Sequence, residues 1–225
     1  MKRFLLFTLI ITFISIQFGC KKDDDNNNVS PEKYTDTRDG QVYATSTISN
    51  QTWFTENLNY ETPGSTRNYQ AIQSWWYDND PENGKIYGRL YTWEAALKAC
   101  PSGWHLPSQQ EWKSLLINLG VSQSELINEG WVGTDQGKQL KATSGWISGN
   151  GTNSSSFNAL PGGSISNGPL NNGEFLGLGE DGYWWTSSQH SVEYAFEFDI
   201  GAYDDRVYYG HWPKYHGRSV RCVKD

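Results

Sequence analysis

Few residues in this chain of 225 combine type and spacing in a way that could carry chemistry. Asp78, Asp80 and Glu82 alternate, with Asn83 and Gly84 behind them, an oxygen-rich pattern that could hold calcium. The glycine falls one place late for a helix-loop-helix calcium loop and no Glu stands at the twelfth place, so the same run also reads as an Asx/Pro turn around Pro81. Calcium is the one cofactor the pattern suggests; otherwise none is expected. His105, His190, His211 and His216 show no HxH or HxxH spacing and no cysteine neighbour, so they read as hydrogen-bonded loop side chains rather than a metal set. No GxSxG elbow organises the Ser and Asp residues around a nucleophile. The large rings stand out more. Trp75, Trp76 and Tyr77 form one cluster, and Tyr208, Trp212 and Tyr215 lie near the end of the chain. Rings on exposed loops stack on the C–H faces of sugars or anchor interfaces, while rings under long loops fill irregular space. Packing is the simpler reading and sugar stacking the functional one.

The N-terminus gives an address. Met1-Lys2-Arg3 is positive, Phe4 to Phe18 is almost wholly apolar, and Gly19-Cys20 follows at once. The run is short of the ~20 apolar residues that cross a bilayer and reads as a signal segment, residues 1 to 19. A small residue directly before Cys resembles a bacterial lipoprotein signal, in a loose form because Gln17 and Phe18 precede Gly19. The resemblance implies that Cys20 is lipidated and becomes the mature N-terminus. Residues 20 to 33, opening Lys21-Lys22-Asp23-Asp24-Asp25 and then three Asn, have almost nothing apolar to bury and read as a disordered tether. Such an acidic tract is similar to the export signals of Bacteroidetes surface lipoproteins. The expected location is the outer membrane, surface-exposed, with its periplasmic face as the alternative, and acyl chains on Cys20 as the membrane contact.

The remainder, residues 34 to 225, is long enough for one domain with its own core. With Lys2 and Arg3 removed, 16 basic side chains face 25 acidic ones, so nucleic acid is not an expected partner. Beyond Cys20 only Cys100 and Cys222 remain, and an exported chain meets an oxidising compartment. Two thiols so far apart are most simply a disulfide; free or metal-binding thiols are the alternative.

Residues 37 to 58 read as an opening hairpin, 61 to 74 as loop, and Thr92 as the cap of a helix over Trp93 to Ala99. Ser108-Gln109-Gln110-Glu111 is a capping box, with Trp112, Leu115, Leu116 and Leu119 at helical spacing and Gly120 as the stop. A third short helix is expected around Ser122 to Glu129. Residues 145 to 156 and 162 to 173 lack any apolar period and read as loops. Tyr194, Phe196, Phe198 and Ile200 alternate on one strand face; Val207 to Tyr209 pairs back, and Ser219 to Val223 closes the chain as a strand carrying Cys222. Helices early and an antiparallel sheet late give α+β.

Tyr91-Thr92-Trp93-Glu94-Ala95-Ala96, Cys100-Pro101-Ser102-Gly103-Trp104-His105-Leu106-Pro107-Ser108, Phe157-Asn158-Ala159-Leu160-Pro161-Gly162-Gly163, Tyr183-Trp184-Trp185-Thr186-Ser187-Ser188 and Ser219-Val220-Arg221-Cys222-Val223 resemble the Fibrobacter succinogenes major paralogous domain, found in surface proteins of Fibrobacter and Bacteroidetes. The Leu106-Pro107-Ser108 to Glu111-Trp112 core is also similar to the sulfatase-modifying-factor group. The resemblance implies a C-type-lectin-like domain: two main helices flanking a small twisted antiparallel sheet with long loops, and a disulfide joining the first helix to the last strand. Formylglycine-generating enzymes of that group need a free thiol pair, which a Cys100–Cys222 bridge would remove. The calcium triplets of sugar-binding lectins do not occur. The expected function is a non-catalytic binding module for a glycan or another envelope component, with such an oxidoreductase or a purely structural envelope role as alternatives.

Overall fold

A computed structural model describes residues 32–63, 73–168 and 171–225. The signal segment, Cys20 and most of the tether lie outside these residues. Thirteen strands and four α-helices are described, in the order β1 (Glu32–Thr35), β2 (Val42–Ile48), β3 (Gln51–Phe54), β4 (Ser74–Trp75), α1 (Pro81–Tyr87), β5 (Leu90–Tyr91), α2 (Trp93–Ala99), β6 (Trp104–His105), α3 (Gln109–Asn118), β7 (Gly130–Val132), α4 (Gln136–Leu140), β8 (Gly162–Gly168), β9 (Asn171–Leu178), β10 (Asp181–Gln189), β11 (Tyr194–Gly201), β12 (Val207–Pro213) and β13 (Val223–Lys224).

The strands form a five-stranded sheet ordered β1-β2-β3-β13-β6, a six-stranded sheet ordered β7-β12-β11-β10-β8-β9, and the pair β4-β5. The expected α+β, C-type-lectin-like arrangement of two main helices flanking a small sheet is therefore corrected. The described residues are mostly β, and only 19% of them are helical. The physical reason lies in residues 162 to 173, expected as loop, which form most of the β8–β9 hairpin. Ser164, Ser166 and Asn167 are buried there, so polar side chains point inward and no apolar alternation marks the strands. Two helices also went unanticipated. Pro81 opens α1 behind Asp80, whose side chain accepts from the Glu82 N–H, and α4 is a short turn. The third expected helix shrinks to a 3-10 turn at Glu125–Ile127. The expected closing strand is confined to Val223–Lys224, with Cys222 just before it, and β1 begins two residues inside the expected tether.

Other expectations hold. The β2–β3 hairpin falls within residues 37 to 58, and α2 starts and stops where Thr92 and Pro101 place it. Ser108 and Glu111 form the reciprocal capping box of α3, satisfying two backbone donors that would otherwise face nothing. Cys100 and Cys222 are disulfide-bonded, with Cα atoms 5.8 Å apart.

Large rings build the interior. Trp112 on α3 stacks on Phe198 of β11 with centroids 5.1 Å apart, and meets Trp53 edge-on at 5.2 Å. This cluster fills the space between α3 and one face of the six-stranded sheet. A second cluster, holding Phe54, Tyr91, Trp185 and the disulfide, lies around α2. Burying such rings supplies about 25 cal/mol per Å² of apolar surface removed from water.

Candidate functional site

Alternation along β11 positions the site. Phe196, Phe198 and Ile200 turn to the core, so Glu197 and Asp199 must point to the other face. Antiparallel pairing then lines that face up across the sheet: Tyr183 on β10 opposes Asp199, and Tyr208 on β12 opposes Asp199 from the other side. On β7, Trp131 lies opposite Tyr208. Gly210 opposes Glu197, and a Cβ there would meet the Tyr208 ring at 2.7 Å, so its absence lets that ring lie across the strand.

The β8–β9 hairpin and the segment His216–Arg218 close the other side, leaving a cleft of about 500 Å³. That is within the range of small-ligand sites, about 300–1,000 Å³. Its floor carries Asp181, Glu197, Asp199 and Arg218, and its rim carries Trp131, Tyr208 and Trp212. Trp131 is 46% exposed and Trp212 44%, unusual for rings of this size.

The floor is electrostatically tense. Arg218 donates from Nε to Glu197 Oε2 at 2.6 Å, with both side chains almost fully buried. Its guanidinium also lies 4.7 Å from the Tyr183 ring centroid and 5.6 Å from that of Trp212. Burial pushes Glu197 above the usual carboxylate range even against the opposing pull of Arg218. Asp199 is pushed well above it, first by burial and then by the charge of Glu197. Two carboxyl groups in one desolvated site oppose each other's ionisation. Asp181 is raised by burial, partly offset by a hydrogen bond from Tyr183. His216 is lowered to about 4 by burial and then by Arg218, so its ring is neutral at physiological pH, and its Nδ1 has no partner. Such a floor offers hydroxyl groups both donors and acceptors, and the rim offers flat apolar faces.

Of the rings singled out in the sequence, Tyr208 and Trp212 line this cleft, and Tyr215 packs on His216 with centroids 4.7 Å apart. The other cluster is used elsewhere. Trp75 pairs through its backbone with Leu90 in the β4–β5 pair; Trp76 donates from Nε1 to Asn59 Oδ1 at 2.8 Å and stacks under Arg89; Tyr77 packs on Phe175 at 5.1 Å. None of the three lines the cleft. Asp78, Asp80 and Glu82 do not converge. Asp80 caps α1, Glu82 pairs with Lys85, and Asp78 is exposed with a left-handed backbone. Among the described residues the group of three that could hold an ion is instead Glu129, His190 and His211. Sequence spacing hid the histidines because strand pairing, not a short motif, brings them together. The carboxylates were signalled by the polar half of the β11 alternation, which reads as a solvent face until the hairpin covers it.

Among the described residues no helix is long and apolar enough to cross a membrane. A family model described as the Fibrobacter succinogenes major domain matches residues 47–224. No curated protein and no solved structure matches the chain. The match takes in every strand and helix from β3 onward, cleft included, and on that extent the chain belongs to the Fibrobacter succinogenes major domain family.

Proposed function

We propose that this domain is a non-catalytic binding module for a saccharide of the cell envelope or its surroundings, held at the outer membrane, surface-exposed, by acyl chains on Cys20. The observation that carries the reading is the cleft, where exposed Trp131 and Trp212 stand over buried Glu197 and Arg218 and half-buried Asp199. Sugars present apolar C–H faces and hydroxyl edges, and this arrangement meets both. Hydrogen bonds to charged groups contribute about 1.5–3 kcal/mol each, enough to orient a ring that stacking alone would leave free.

One feature supports the binding reading over its oxidoreductase alternative. The formylglycine-type alternative needs free thiols, and Cys100 and Cys222 are bonded to each other. The anchor is supported by the apolar run Phe4 to Phe18 and Gly19-Cys20. Several buried acyl chains at about 0.8 kcal/mol per CH₂ make release negligible.

A glycan array probed with the full chain in detergent tests the reading. Wild type should mark one saccharide class, Trp212→Ala should weaken that signal about tenfold, a loss of about 1.4 kcal/mol, and Asp199→Asn should weaken it by a similar factor. Uniform background, or a signal unchanged in both variants, contradicts it. For the anchor, fatty-acid labelling should mark wild type and not Cys20→Ala; unlabelled wild type in the soluble fraction contradicts it.

A further inference from the structure

We propose that Glu129, His190 and His211 form a binding site for a divalent transition-metal ion of the zinc class, separate from the cleft. Three strands bring them together. Tyr209 on β12 opposes Gly130 on β7, so Glu129 falls beside His211, 82 residues away in sequence. His190 follows the end of β10, its backbone N–H donating to Tyr194 O at the start of β11. His211 lies on the face of β12 opposite to Tyr208 and Trp212, so these three residues share no wall with the cleft.

The geometry is that of a ligand set. One ligating atom from each residue lies within 4.8 Å of the others. The two imidazole rings are stacked, with centroids 3.8 Å apart and planes 5° from parallel. Glu129 reaches both, with Oε2 2.6 Å from His211 Nδ1 and Oε1 3.8 Å from His190 Nε2. Tetrahedral zinc, with bonds of about 2.0–2.2 Å to nitrogen and oxygen, sets its ligand atoms about 3.3 Å apart. The two separations bracket that value, and because an imidazole ligates in its own ring plane, one of the two stacked rings must turn out of the stack for both nitrogens to face the ion. Each side chain is about one-third exposed, which leaves the ion a path in and room for water at the remaining position. Two imidazoles and one carboxylate suit zinc, nickel or copper, while calcium prefers an all-oxygen shell. The competing charge is Lys113 on α3, close enough to feel Glu129. It sits over the Tyr209 ring, 4.5 Å from the centroid.

Isothermal titration of zinc chloride into the full chain, in detergent and without a polyhistidine tag, tests the site. One ion per chain should bind in the micromolar range, with no saturable heat from calcium chloride. His190→Ala and His211→Ala should each weaken binding at least about tenfold. Cobalt should give a visible absorption band in wild type that His211→Ala lacks. If an alanine variant melts early without metal, the volume-keeping His211→Gln and Glu129→Gln replace it, with the same loss expected. No saturable uptake of zinc, nickel or copper, or uptake unchanged in the histidine variants, overturns the proposal.

Discussion

Arg221 is fully buried, and its guanidinium donates to Asn57 Oδ1 at 2.7 Å, Phe157 O at 2.6 Å, Asn158 O at 2.8 Å and Phe54 O at 3.2 Å. Burial lowers it to about 9 against the opposing pull of Glu56, and no carboxylate shares those four bonds, so the direct partners of the cation are oriented dipoles and the Phe157 ring. Arg221→Met would take the guanidinium donors from Phe54 O, Phe157 O and Asn158 O, each costing about 1–3 kcal/mol, while Asn57 Oδ1 keeps its bond from Trp184 Nε1. A loss of stability of about 3 kcal/mol or more is expected, read from the urea midpoint. The cleft residues predict opposite pH slopes. Asp199 titrates above its ordinary value of 3.8 in the folded chain, so its contribution is complete below that pH and falls as pH rises through the raised value. His216 titrates lower when folded, so its contribution is complete above 6.5 and is lost as pH falls to about 4. Unfolding titrations should show Asp199→Asn gaining on wild type as pH rises above the carboxylate range, and His216→Gln gaining as pH falls from 6.5. Parallel curves would contradict both.

Elements differ in how plainly the sequence announces them. α3 carries a capping box and an apolar stripe, and β11 alternates cleanly; both appear where expected because a single local rule decides each. The β8–β9 hairpin escapes the same reading. Its inward side chains include Ser164 and Ser166, and Gly163 has a positive φ of 63° with no room for a Cβ beside the Tyr77 ring. Tertiary cover, not local propensity, makes those residues strands. α1 was legible and misread, since an Asp cap followed by Pro at the first helical position is a helix start as well as a turn. Half of the candidate site followed from the sequence in the same way. Tyr208 and Trp212 were picked by ring type, but Glu197, Asp199 and Arg218 needed the fold. The disulfide joins the end of α2 to the residue before β13 across 122 positions. The chain-entropy model values such closure at about 4–5 kcal/mol, so reduction, or Cys222→Ser, should lower the melting temperature markedly in a calorimetric scan. An unchanged melt would mean the native packing alone constrains those ends.

At the scale of the whole described domain, two aromatic clusters hold two sheets and leave one sheet face free of core packing. That face is where a mostly β chain departs from the helix-flanked expectation, and the departure makes the cleft, because the extra hairpin walls in what would otherwise be an open polar surface. Net negative composition agrees with a carboxyl-rich floor and with neutral, hydroxyl-bearing ligands rather than polyanions. The central claim is that this cleft takes the sugar. It is tested most directly by a crystal structure of the chain bearing the saccharide selected on the array. The account predicts a sugar ring stacked on Trp212 or Trp131, with hydroxyls within hydrogen-bond distance of Asp199, Glu197 or Arg218. A saccharide seated on any other surface, with the cleft filled only by water, would contradict it.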